Sequence, residues 1–434
     1  MKHGTALALL GSLLALVSAV GASAPEYEAT GSVAASDYLP SAMMQGTDWT
    51  VAADAINDGF DNTYRVESRF GTFEARGRAE VEIRIREIAA LAQLEEVSRS
   101  EVFLDAVERS ITAPLELVAD FLDKPAETVK GIPRGIGRWY KRTRFKVREF
   151  RDDAQDYLAE RRDEDVEGDA TESDEPAITQ EEVEELAKKE GRKYLRISSA
   201  ERRWYAQLQV DPSTDNEVLR QAVTRVARVD GLTSFGMTFV SLPEIPGSSE
   251  IGTAMDLVWK TDPLELVIRN RERMVAAGLD EDTARLYEDN PALSLTLQTA
   301  FLDLLGRLKG VEGRQHLFAR ALDVETRTQA RKLVISTAFL VRLHEQGKQL
   351  DTCLPGSGVP VARSRGGELI AVATADGVRW TEAVAEAATR FGGLYADEQT
   401  RVRTFHIIGL ASERFEVAAA GLGWHVQDGW RGDG

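Results

Sequence analysis

Apolar and polar residues alternate at every second position between Tyr64 and Arg76. Tyr64-Arg-Val-Glu-Ser, Arg69-Phe-Gly and Thr72-Phe-Glu-Ala-Arg predict a β-hairpin with Gly71 in its turn. Two strands are marginal by themselves, so this hairpin needs a helix to pack on. From Arg78 the period lengthens, and Val81, Ile85, Ile88 and Ala92 share one helical face. Val81, Ile83 and Ile85 also alternate, which leaves a longer second strand open. Ser100 is placed to cap a next helix striped by Phe103, Leu104, Val107 and Ile111. Pro114 suits the first turn of another, and Pro125 that of a short one ending at Gly131.

From Gly191 to Gln346 the pattern is mainly helical. Val218, Leu219, Ala222, Val226 and Val229 make one stripe. A connector, GMTFVSLPEIPGSSEIG, follows and reads as an extended loop or short helical turn. Asp262-Pro263 starts a helix that Gly278 stops, and Asp280 caps one running through Tyr287. The stretch after Pro291 and Leu333 to Leu343 are apolar on most faces, so both predict central buried helices. After Gln346 strands and helices alternate. Val359-Pro-Val-Ala-Arg and Glu368-Leu-Ile-Ala-Val-Ala flank a Ser364-Arg-Gly-Gly turn. A helix ending at Gly392, a strand at Arg403–Gly409, a helix from Ser412 and a strand at Trp424–Gln427 complete a small α/β unit.

The first residues change the picture. Met1-Lys2-His3, then an apolar run, then small residues is the order of a secretory signal peptide. Ala22-Ser23-Ala24 resembles a cleavage signal; because Pro25 hinders that cut, cleavage after Ala22 is the rival. The segments expected are therefore a signal peptide over 1–22, a mobile stretch over 23–60 and a hairpin-plus-helix unit over 61–151. An acidic linker with a short helix over 152–190, a helical domain over 191–346 and an α/β unit over 347–434 follow. The fold class expected is mainly α and multi-domain. Localisation is expected to be periplasmic or extracellular, and no transmembrane helix is expected in the mature chain.

Composition is that of a globular protein, with 43% hydrophobic and 29% charged residues. A formal net charge of −18 argues against nucleic acid as a partner. Against that background Arg134, Arg138, Trp139, Tyr140, Lys141, Arg142, Arg144, Phe145, Lys146 and Arg148 form a dense basic and aromatic segment. Basic side chains among aromatics suit an anionic membrane surface, and a solvated helix face is the alternative. An envelope protein is the other partner class.

Candidate chemistry is sparse. Cys353 is the lone cysteine, which excludes an internal disulfide and a cysteine-rich zinc site. With His406 or His425 as base and Asp351 or Asp376 as orienter it would make a thiol hydrolase. No HExxH, phosphate-binding loop or Gly-x-Ser-x-Gly is present. No metal and no cofactor is expected. The leading reading is an exported, non-enzymatic binding or scaffold protein acting through surfaces, and the hydrolase is the alternative.

Overall fold

The structure is a computed structural model and describes residues 27–100, 103, 198–228, 248–356, 358–396, 400 and 402–429. Five strands form an antiparallel sheet: β1 (Gly31–Ala34), β2 (Trp49–Val51), β3 (Asp54–Asn57), β4 (Asn62–Ser68) and β5 (Gly71–Arg76). β4 is central; β5 pairs along one edge, and β2 and β3 lie in tandem along the other. β1 flanks β3. The expected β4–β5 hairpin forms, and Gly71 takes φ +129° at its turn.

Within the stretch expected to be mobile, 23–60, the described residues include the three short strands β1, β2 and β3. Ala35, Leu39, Met43, Trp49, Val51 and Ala55 are all buried. Fully burying a side chain such as Leu or Met contributes roughly 1.5–3 kcal/mol, which helps offset the ordering of the backbone. Strands of three or four residues separated by a short helix α1 (Ser41–Met44) are too brief to show a period.

α2 (Arg78–Arg99) packs on this sheet through Val81, Ile85, Ile88 and Leu91, so the strand alternative at Val81–Ile85 does not form. α3 (Ser199–Leu208) and α4 (Glu217–Ala227) join the same core through Trp204, Tyr205, Leu208, Leu219 and Val223. Core packing thus runs across the boundary expected at 191.

α5 (Ser248–Lys260), α6 (Pro263–Ala276), α7 (Glu281–Glu288), α8 (Leu295–Arg307), α9 (Gln315–Leu322) and α10 (Arg327–Leu343) follow. α8 and α10 are the buried pair, with Phe301, Leu304, Val334 and Leu340 fully enclosed. A buried ion pair, Arg271 with Glu288, joins α6 to α7.

The second sheet runs β10–β9–β8–β7–β6. β6 (Leu350–Cys353), β7 (Val361–Ser364) and β8 (Glu368–Val378) are antiparallel neighbours. β9 (Val402–Ala411) and β10 (His425–Gln427) add in parallel, through the crossover helices α11 (Glu382–Leu394) and α12 (Glu413–Gly421). One face carries Ala362, Ile370, Val372 and Ile408 into the core of α8 and α10. The other carries Leu369, Ala371 and Ile407 under Phe391, Phe415 and Trp424. The described residues form a helix-rich mixed α/β fold with two sheets.

The two sheets meet edge to end. Asn57 Nδ2 donates to the Gly377 carbonyl at 2.9 Å, and the Arg379 N–H donates to Gly59 O at 2.9 Å. Glu28 and Trp380 exchange backbone and side-chain hydrogen bonds.

Candidate functional site

Three groups singled out as a hydrolytic triad lie apart. Cys353 is on β6 and His406 on β9, three strand spacings away. At ~4.8 Å per spacing that is about 14 Å across the strands alone, and the register row through Cys353, Ala362 and Ile370 meets Thr404, two residues short of His406. His425, on β10, is one strand farther. Burial pushes the Cys353 thiol up to about 12, against a weaker opposing pull from Arg314. A thiol so placed is not a thiolate near neutral pH. His406 packs its ring against Phe339 at 5.1 Å, and burial takes it down to about 4 although Glu368 pulls the other way.

Asp376 sits on β8 four residues beyond the register partner of His406. Its carboxylate faces the first sheet. The Tyr64 hydroxyl donates to Oδ2 at 2.8 Å, and the Arg78 N–H donates to both oxygens at 2.9 Å. Asp376 therefore supplies the acceptor at the N-terminus of α2, where Gly77 has no side chain to offer. Burial raises it to about 6; the Arg78 and Tyr64 donors oppose this and the Asp61 charge adds to it.

The basic and aromatic residues Arg134 to Arg148 lie outside the described residues. Among the described residues no cluster of His, Cys, Asp and Glu could hold a metal, and no helix is long and apolar enough to cross a membrane.

What the fold does build is a cleft of about 340 Å³ where α2, the 209–215 turn, α5 and α10 converge. Its apolar wall is Ile251, Met255 and Trp259 of α5, with Leu297 and Ile335 behind. The indole N–H of Trp259 donates to Val210 O at 3.1 Å, which fixes the ring against the turn. Gly252 also lines the cleft, and a Cβ there would meet no atom within 4 Å.

The polar wall is hydrogen-bonded within itself. Glu87, buried on α2, accepts from the Thr214 hydroxyl, from Asn216 Nδ2 at 3.1 Å and from Arg84 at 2.8 Å. Arg84 also binds Asp215 at 2.8 Å. Burial alone would raise Asp215, but the Arg84 charge and hydrogen bond outweigh it and hold the carboxyl below its usual range. Asp211 accepts from the Thr296 hydroxyl and the Ser213 N–H, and Glu82 accepts from Arg86 at 2.7 Å. Arg327 and Arg331 enter from the start of α10.

Sequence reasoning missed this cleft. Its one available signal was Ile251, Met255 and Trp259 at spacings of four, which the connector reading cut in two. Compared with protein-family models, curated proteins and solved structures, the chain matches none.

Proposed function

We propose that this chain is an exported, non-enzymatic binding protein that holds a small ligand in the cleft between α2, α5 and α10. The observation that carries the reading is the cleft itself. It has an apolar wall, a few convergent polar groups already fixed by hydrogen bonds, and a volume at the small end of ligand sites. Its walls come from residues 79–87, 209–215, 251–259 and 327–335, so the fold holds it in shape from several sides.

The test uses a neutral fluorescent probe, N-phenyl-1-naphthylamine, on the full mature chain. Saturable binding to one site is expected. Gly252→Phe should abolish it by filling the cleft, while leaving the circular dichroism spectrum unchanged. Equal binding by both proteins would place the probe elsewhere and sink the reading.

Export rests on the tripartite N-terminus, and the basic aromatic segment Arg134 to Arg148 supports contact with an anionic membrane surface. An intact Met1 on protein recovered from the cytoplasm would oppose export. Failure to co-sediment with anionic vesicles at low salt would oppose the membrane contact.

A further inference from the structure

We propose that the cleft takes a small anion with an apolar body, a carboxylate, sulfonate or phosphate head meeting Arg327 and Arg331 and the body lying against Trp259, Met255 and Ile251. This rests on reading the cleft as a ligand site, and adds the class of ligand.

Arg327 and Arg331 have few partners for their donors among the described residues. A guanidinium carries five N–H donors. Among the described residues Arg327 donates to the Ser213 carbonyl. Arg331 has one Glu80 oxygen at 3.5 Å, the weak limit of such a contact, and that oxygen also takes the Thr328 hydroxyl. The Arg331 side chain is only 13% exposed. A desolvated cation with idle donors is costly, and an anion placed against it offsets that cost. Burial accordingly lowers Arg331 from its usual range, although Glu80, Asp211 and Asp215 act to raise it.

The acids facing the two arginines are already engaged. Glu80 accepts from the Arg76 N–H and Thr328, Asp211 from Thr296 and Ser213, and Asp215 from Arg84. Helix polarity points the same way. Arg327 and Arg331 lie in the first two turns of α10, whose first turn holds no acidic residue. The positive end of a helix favours an anion beside Arg327 and Arg331, against the carboxylates of Glu82, Glu87, Asp211 and Asp215 that also line the cleft. The apolar wall opposite is the part of the site that neither the arginines nor the carboxylates occupy.

A matched pair of probes separates charge from shape. 8-Anilinonaphthalene-1-sulfonate is N-phenyl-1-naphthylamine with one added sulfonate. The full mature chain should bind the sulfonate about tenfold or more tightly than the neutral parent, as a charge-assisted contact requires. Arg331→Gln and Arg327→Gln should each bring that ratio down toward unity. Raising salt to about 1 M should weaken the sulfonate more than the parent, because screening acts on the charge alone. Should Arg331→Gln fail to fold, the wild-type ratio, its salt dependence and Arg327→Gln still decide. A ratio near one, with both probes lost in Gly252→Phe, would overturn the anion inference and leave the cleft as a neutral ligand site. Probes that bind Gly252→Phe as well as wild type would remove the cleft reading and this inference with it.

Discussion

Asp376 and His406 stand four residues apart in sheet register and respond to pH in opposite directions. Asp376 is raised from 3.8 to about 6 by burial, so the folded state favours its protonated form. Its contribution to stability is fully present below the unfolded value and is lost as pH rises through about 6. His406 is lowered from 6.5 to about 4 by burial, so the folded state favours the neutral ring. Its contribution is present above the unfolded value and is lost as pH falls toward 4. Between those limits the two slopes oppose each other. At roughly 1.4 kcal/mol for each unit of difference, either group alone contributes on the order of 3 kcal/mol across the window. Asp376→Asn should therefore make stability climb more steeply from about pH 4.5 to 7 than in wild type, and His406→Gln should flatten or reverse the climb. Urea unfolding midpoints at four pH values would show this, and three parallel curves would refute it. Cys353, the residue that first drew attention as a nucleophile, is in the same position as these two. Its burial serves packing beside Leu350 and Ala362 and raises its pKa, which is the reverse of what a nucleophile needs.

Elements were legible where the chain carries its own caps. Asp262, Asp280 and Ser412 each accept a backbone N–H from the first turn they precede, and those helices start where the residue types place them. α9 has Arg314 at its cap with no side-chain hydrogen bond, and no periodic reading located it. α5 was hidden by Pro243, Pro246 and Gly247, because the connector read from them ran on to Gly252 and covered the first turn of the helix. α2 was seen from its apolar stripe, yet its cap could not be, since Asp376 lies 298 residues from Arg78. The cleft was illegible for the same reason, as its walls meet only when four distant segments pack. Two glycines illustrate how an element's needs decide a substitution. Gly409 in β9 has φ +143°, and a Cβ there would lie 1.8 Å from the Ala375 carbonyl oxygen at the β8 irregularity. Gly409→Ala should cost several kcal/mol, on the order of 3 or more, because backbone must move. Gly252, inside α5 with open space around it, should respond oppositely: Gly252→Ala is expected to stabilise by about 0.5–1 kcal/mol through helix propensity. Thermal midpoints of the two variants moving in the same direction would contradict this account.

At the scale of the whole molecule, residues before Phe103 and after Ser198 are packed as partners. Trp204, Tyr205, Leu208, Leu219 and Val223 share a core with α2 and the first sheet. Glu87 and Arg84 of α2 tie down Thr214, Asn216 and Asp215. Asp376 holds the start of α2, and Glu28 bonds to Trp380 and Ser412 at the far side. The intervening sequence, from about Asp163 to Ile178, has few large apolar residues, and this composition suggested a boundary between independent parts. Cutting there should test whether the boundary is one of chain or of fold. A tether supplies an effective concentration of roughly millimolar at best, so its loss matters only if the contacts themselves are weak. The contacts named above bury five large apolar side chains and two charged groups in one interface, and each Leu or Val among them is worth roughly 1.5–3 kcal/mol. A protease site introduced between residues 163 and 178 and then cleaved should yield two fragments that elute together at micromolar concentration. They should separate only in denaturant, and the fragment from residue 191 onward, expressed alone, should aggregate or bind hydrophobic dye through the exposed faces of α3 and α4. Two fragments that elute separately, each with a cooperative melt of its own, would show that the shared core is too weak to unite them.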